Sequence, residues 1–399
     1  MTNQPPLPAA VRRRARVESI DLLRGVVMIL MALDHTRDFF GTAANPTAVA
    51  TATIPLFFTR WVTHLCAPTF FLLTGTGAYL ARRQRTRREL SRFLFTRGIW
   101  LILLELTVLR CLGYQFNVDY RVTMLIILWA LGWAMITLAA LVYTPTGVVA
   151  TFGILLIASH NLLDSVKASS FGVFAPLWTI LHAPGFVGTS RTHMVFAAYP
   201  LIPWIGVTAA GYGLGPVYEW IPERRRDVLL RLGIGLSLAF VVLRLANVYG
   251  DPIPWTAQRS AMRTMLSFLN TNKYPPSLLF VLMALGPAVL ILWMADNGIP
   301  RIARPALVFG RVPLFYFLLH MPLLHLIALA VCYARYRDVH WMFESARVDQ
   351  FPITRPPGWG YSLPMVYCVW IGVVVALYPA CRWFGELKRR RADPWLGYL

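Results

Sequence analysis

Ten stretches of about twenty predominantly apolar residues recur along this 399-residue chain, and their recurrence limits the folds open to it. They fall near 19–40, 56–80, 95–114, 123–142, 147–163, 194–215, 228–248, 275–296, 305–331 and 364–385. A helix of about twenty residues, rising about 1.5 Å per residue, crosses a hydrocarbon core of about 30 Å with its backbone groups paired internally. The chain is 57% hydrophobic and 14% charged, where a soluble domain holds roughly 25% charged residues. One soluble core could not hide that much apolar surface. The expected fold is an all-α polytopic bundle of about ten transmembrane helices.

The charge pattern orients the bundle. Basic clusters stand at Arg82 to Arg92, Arg224 to Arg226 and Lys388 to Arg391, with a weaker one at Arg301 and Arg304. Ten spans starting from a cytoplasmic N-terminus put all four inside, and the cation-poor connections 41–55, 164–193, 249–274 and 332–363 outside. Both termini are therefore expected in the cytoplasm. The chain divides into a basic tail (1–16), a membrane domain (17–386) and a second basic tail (387–399). The net charge of +20 reads as topology signal and contact with lipid headgroups. No nucleic-acid motif accompanies it. The N-terminal run is too long for a cleaved signal and lacks a small-residue cleavage site. Cys66, Cys111, Cys332, Cys368 and Cys381 show neither disulfide-framework nor metal-ligand spacing, and no metal is expected. Aromatic and proline residues in 249–274 and 332–363 (Trp255, Tyr274, Trp341, Phe343, Phe351, Trp359) read as an interfacial belt or as loops folded over the helices.

Ionisable groups inside apolar runs are costly and each requires a reason. On the first run, Asp21 and Arg24 share a helix face near the cytoplasmic end. His35 lies fifteen residues beyond Ile20, or roughly 22 Å up the helix. His64 on the second run and His320 on the ninth fall at similar depth, with His325 nearer the outer end. An imidazole accepts on one nitrogen while donating from the other, which suits proton transfer near neutrality. Asp34 and Asp38 flank His35, and either is a candidate to orient the ring or stabilise its charged form. Glu105 and Arg110, five apart, are poor partners for each other and are expected to pair with other helices. Pro200 and Pro203 are expected to kink or break the sixth helix.

The stretch Arg16 to Gly25, leading through Met28 to His35, resembles the first helix of the heparan-alpha-glucosaminide N-acetyltransferase catalytic-domain family. Pro68 to Gly75 resembles the family's second helix, and Tyr199 to Gly206 and Gly310 to His320 resemble later helices of its bacterial relatives. The Arg-Gly then His pattern is also similar to acyltransferase family 3. The resemblance implies transfer of an acetyl or other acyl group from cytosolic acyl-CoA, as co-substrate, to a sugar or similar hydroxyl or amine beyond the membrane. It implies a bacterial cytoplasmic (inner) membrane location. The lysosomal member's histidine between its first two helices has no counterpart here; the aligned position falls near Ile54.

On this reading His35 is the base, Asp38 or Asp34 orients it, and His64 or His320 donates to the thioester oxygen or relays the proton. Arg82, Arg83, Arg85, Arg87 and Arg88 offer cations to the CoA phosphates, and Arg24 and Arg311 are candidates nearer the thioester arm. The partners expected are membrane lipids, acyl-CoA and a carbohydrate or other small acceptor; a homodimer is compatible with the sequence. Two other classes fit the same residues: a proton-coupled secondary transporter using the His/Asp cluster, and an assembly protein whose histidines only bond helices together.

Overall fold

In the computed structural model, residues 17–42, 45–189, 192–345, 352–391 and 393–398 are described. The basic residues before Val17, and Phe351, lie outside them. The described helices are α1 (Glu18–Phe40), α2 (Ile54–Thr63), α3 (Cys66–Ala81), α4 (Arg87–Leu104), α5 (Ile127–Leu141), α6 (Thr146–Ser159), α7 (Ala175–Leu181), α8 (Leu201–Leu214), α9 (Pro222–Ala246), α10 (Ala261–Leu269), α11 (Leu278–Asn297), α12 (Ala306–Arg311), α13 (Pro313–Tyr336) and α14 (Leu363–Arg390). A π-helical stretch, Glu105–Tyr114, prolongs α4.

Local chemistry sets many of these boundaries. Thr53, Ser260 and Ser277 cap α2, α10 and α11 by accepting from backbone N–H groups two or three residues on, and Thr86 with Glu89 forms a reciprocal capping box on α4. Pro68 has no N–H for the His64 carbonyl, and the helical path is interrupted between α2 and α3 at His64 and Leu65. Pro313 likewise pushes Val312 out of helical geometry (φ −136°, ψ 50°), separating α12 from α13.

Six helical segments are long and apolar enough to cross a membrane: Ile54–Gln84, Thr146–Leu163, Pro222–Ala246, Leu278–Asn297, Pro313–Tyr336 and Leu363–Arg390. Two shorter apolar ones, Ile127–Leu141 and Ala168–Leu181, accompany them. α1 is long enough but carries Glu18, Asp21, Arg24, Asp34, Arg37 and Asp38. α9 and α14 turn apolar side chains outward, among them Leu238, Val242, Leu245, Ile371 and Val375, as lipid-facing helices do. The chain is thus a polytopic, largely α-helical integral membrane protein.

Two expected helices start late. The 123–142 and 194–215 runs begin as strands β1 (Val122–Leu125) and β3 (Met194–Ala197), joined by β2 (Gly185–Thr189) in a three-stranded sheet of order β1-β3-β2. β1 and β3 are parallel, and β2 and β3 antiparallel. The fold is therefore not purely α. Pro200 and Pro203 do not kink a helix. They stand at the start of α8, where missing donors leave no bond unmade.

Glycines let the bundle close. A Cβ on Gly310 would lie 1.7 Å from the Asp21 oxygen, and one on Gly25 1.8 Å from that of Ala306, so α1 and α12 touch backbone to backbone. Gly75 and Gly211 do the same for α3 and α8. Such close crossings drive helix association where lipid offers no hydrophobic gain. The Gly310→Ala variant is expected to lose about 1–3 kcal/mol through overpacking, read as a lower melting temperature in detergent. Gly235→Ala, where a Cβ meets nothing within 4 Å, is expected not to lower it.

Candidate functional site

α1 carries the centre of the site because it packs against α2, α3, α11, α12, α13 and α14. Its contact with α13 brings His35 Nδ1 within 2.7 Å of His320 Nε2, with the rings stacked at 5.0 Å between centroids. The opposite nitrogen of His320, Nδ1, lies 3.1 Å from the Tyr316 carbonyl. A carbonyl only accepts, so His320 Nδ1 carries the proton. In the neutral pair His320 Nε2 then accepts from His35 Nδ1–H, and the lone pair of His35 is left on Nε2. The geometry selects one tautomer for both rings.

Two expectations for this centre change. Asp34 and Asp38 do not orient His35: Asp34 pairs with Arg60 and, at 3.0 Å, with Arg37, and Asp38 pairs with Arg37 at 2.6 Å. In a helix, neighbours point about 100° apart, so Asp34 faces α2 while His35 faces α13. His64 does not join the imidazole pair. It is buried with its ring edge against Phe280 at 5.3 Å.

His35, Asp34, Asp38, Arg37 and Arg60 line a first cavity of about 410 Å³, together with Tyr114, Tyr199, Lys273 and Tyr274. The sheet contributes Met124 and Phe196 to its wall. The loop 249–274 and residues 352–362 of the second connection fold against helix ends, one of the two readings their aromatics left open. Arg244, buried at the end of α9, donates to the carbonyls of Ile253, Ser267, Phe268 and Asn270 and so holds the first loop down. In the second, Trp359 donates to Phe39 O at 2.8 Å and Tyr361 N–H to Phe40 O at 2.8 Å. Burial pushes the Tyr274 phenol up, but the charges of Lys273 and Arg60 outweigh it and hold the group below the usual phenol range.

A second cavity, of about 440 Å³, opens among the helix ends that carry the basic clusters, lined by Asp21, Arg24, Arg97, Arg311 and Lys388. Met31 and Ile127 line both cavities and form part of the wall between them. Phe317, from the second cavity, packs beside His35 and His320 at 6.2 and 5.4 Å. The Gly25–Gly310 crossing sets Arg24 and Arg311 on this cavity, and Arg24 reaches the Gly310 carbonyl at 3.4 Å.

The other arginines named from sequence stand outside it. Arg82 donates to Tyr79, Arg83 pairs with Glu219, Arg85 lies over the Phe93 ring, Arg87 donates to the Tyr143 carbonyl, and Arg88 is exposed. Arg97 and Lys388, which the sequence did not single out, are on the cavity instead. Lysine and arginine at a membrane-helix end read as snorkelling, so nothing in the sequence separated these two. Among the described residues Glu105 has no cationic partner. Its carboxylate accepts from Leu128 N–H at 2.9 Å, capping the start of α5. Arg110 pairs with Asp119 and Asn117, on the segment following its own helix.

Two chambers that share Met31 and Ile127, with His35 of the hydrogen-bonded imidazole pair on the wall of one, mark a built intramembrane site in this integral membrane protein. Residues 16–241 match the family described as heparan-alpha-glucosaminide N-acetyltransferase, catalytic. The chain belongs to that acyltransferase family. A comparison with curated proteins gives no match. His320 and Arg311 lie beyond the matched residues, so half of the imidazole pair comes from outside them.

The Asp34–Arg37–Arg60 cluster is largely buried, and removing one partner leaves a charge without its counter-ion. Arg60→Met is expected to cost about 3 kcal/mol or more, whereas the pair Asp34→Asn with Arg60→Met recovers much of it. Thermal unfolding of the single and double variants in detergent checks this.

Proposed function

We propose that this protein is a ten-span transmembrane acyltransferase of a bacterial cytoplasmic membrane, with both termini in the cytosol, that moves an acetyl or similar acyl group from acyl-CoA to a hydroxyl or amine acceptor outside. The observation that supports the reading is His35, hydrogen-bonded to the buried His320, on the wall of a cavity that shares Met31 and Ile127 with the cationic one. The ten-span topology rests on the basic clusters of the sequence, which it puts on one side together with the second cavity.

The second cavity sets four cations against the one carboxylate of Asp21, a field that suits the phosphates of CoA. The pantetheine arm extends along its apolar wall toward Met31 and Ile127 and presents the thioester to the first cavity. The acceptor lies in the first cavity, and His35 Nε2 takes its proton as its oxygen or nitrogen attacks the thioester carbon. Arg60 and Lys273 favour the negative charge that develops on the carbonyl oxygen. The carbon–sulfur bond then breaks, and the imidazolium returns the proton to the CoA thiolate. His320 is a positioning residue: its accepting nitrogen keeps the His35 proton on Nδ1 and stabilises the charged ring. No step here calls on a metal.

Two measurements test this. CoA added to the purified protein in detergent is expected to raise the melting temperature with concentration, and Arg97→Gln with Arg311→Gln to weaken that effect. With acetyl-CoA and glucosamine as probe acceptor, His35→Ala is expected to lower acetyl transfer by about 10²–10⁴-fold while keeping the CoA-dependent stabilisation. The transporter reading also draws on an imidazole pair between two chambers. Solute counterflow in liposomes without acyl-CoA, combined with no response to CoA, would establish it instead.

A further inference from the structure

Outside the two chambers, three further side chains of ligand chemistry converge. His160 opens the 3₁₀ turn that follows α6, Asp164 ends that turn, and His182 follows the last residue of α7. One ligand atom from each lies within 4.8 Å of the others, and no other such group of His, Cys, Asp and Glu occurs among the described residues. His160 and Asp164 are four apart on one helical path and share a face, while the chain between 165 and 181 folds back to deliver His182.

Burial is the second observation. His160 is 1% exposed and His182 2%, yet neither ring nitrogen of His160 makes a hydrogen bond to any of the described residues. The Pro276 carbonyl lies beside the ring without completing one of ordinary geometry. A buried imidazole with two unpartnered nitrogens is costly unless something binds there. The neighbouring groups are already positioned as a metal site's outer contacts would be. His182 Nε2 donates to the His160 carbonyl at 2.9 Å, which holds the proton there and leaves the Nδ1 lone pair as the ligand; Asp164 Oδ1 lies 3.7 Å from Nε2. The other Asp164 oxygen accepts from Asn161 at 2.8 Å, and Trp178 stacks on the His182 ring.

We infer that His160, Asp164 and His182 bind a divalent first-row transition ion of the zinc type. Two imidazoles and one carboxylate are borderline donors that favour such an ion over magnesium or calcium, whose ligands are oxygens. Three protein ligands leave at least one position for water. The half-exposed Asp164 side chain, 22% accessible, is the open side. The ion ties the α7 excursion to the end of α6. Two residues past His182, Pro184 lines the first cavity and leads into β2, so the clamp fixes part of that cavity's wall. The site does not depend on the acyl-transfer reading.

The test uses the full chain, freed of any purification tag, stripped with chelator in detergent and titrated with Zn²⁺ alone. Expected are about one equivalent retained after desalting, measured by elemental analysis, and a melting temperature that rises with Zn²⁺. Asp164→Asn, at the open side, and His182→Gln are each expected to weaken binding by about tenfold or more. Co²⁺ in place of Zn²⁺ is expected to show visible ligand-field bands that the variants lose. Should His182→Gln not fold, Asp164→Asn decides alone. Failure of the wild-type chain to retain zinc, or retention unchanged in a folded variant, overturns the assignment.

Discussion

The backbone contact between α1 and α12 is the constraint on which the rest of the site hangs. At Gly25 and Gly310 there is no room for even a methyl group, so the helices meet at a distance that only glycine allows. α13 follows α12 after a single non-helical residue. That short connection fixes the second helix relative to the first, and His320 arrives beside His35. The same crossing puts Arg24 and Arg311 on one cavity. One steric fact at the helix ends therefore sets both the imidazole pair and the cationic chamber.

Buried charge is managed differently on the two sides of that wall. In the first cavity Asp34 and Asp38 are taken up by Arg37 and Arg60, a network that compensates charges which would otherwise be too costly to bury. Its side chains are about one-tenth to one-third exposed, toward the cavity. The imidazole pair stays outside this network. A neutral histidine, and not a carboxylate, partners His35, so the ring is oriented without being charged in the resting molecule. A carboxylate there would stabilise the imidazolium and make the ring a stronger base, one already holding the proton it is meant to accept.

Much of the helical architecture was legible in the sequence. The length and spacing of the apolar runs are local signals, but the runs 56–80 and 305–331 read as unbroken, and the interruptions before Pro68 and Pro313 appear only in the structure. The strands at 122–125 and 194–197 were not legible, because an apolar run of four or five residues looks the same whether it pairs with a neighbour or extends a helix. His35 and His320 stood out because an ionisable group in an apolar run carries its own cost. His160, Asp164 and His182 did not, since they lie at the edge of a run and in a polar connection, where such residues need no explanation.

What the sequence by itself determined is a membrane protein with polytopic helices, imidazoles placed at comparable depth and an acyltransferase resemblance in its first helices. Depth along a helix follows from residue count, because the rise per residue is constant. Which imidazoles meet was decided only by tertiary structure, because lateral position depends on helix rotation and crossing, and these follow from contacts far apart in the chain. The same holds for the arginines: Arg97 and Lys388 reach the second cavity, while Arg82 through Arg88 serve the surface around it. Charge is written in the sequence, but the direction in which a charge points is a property of the packed bundle.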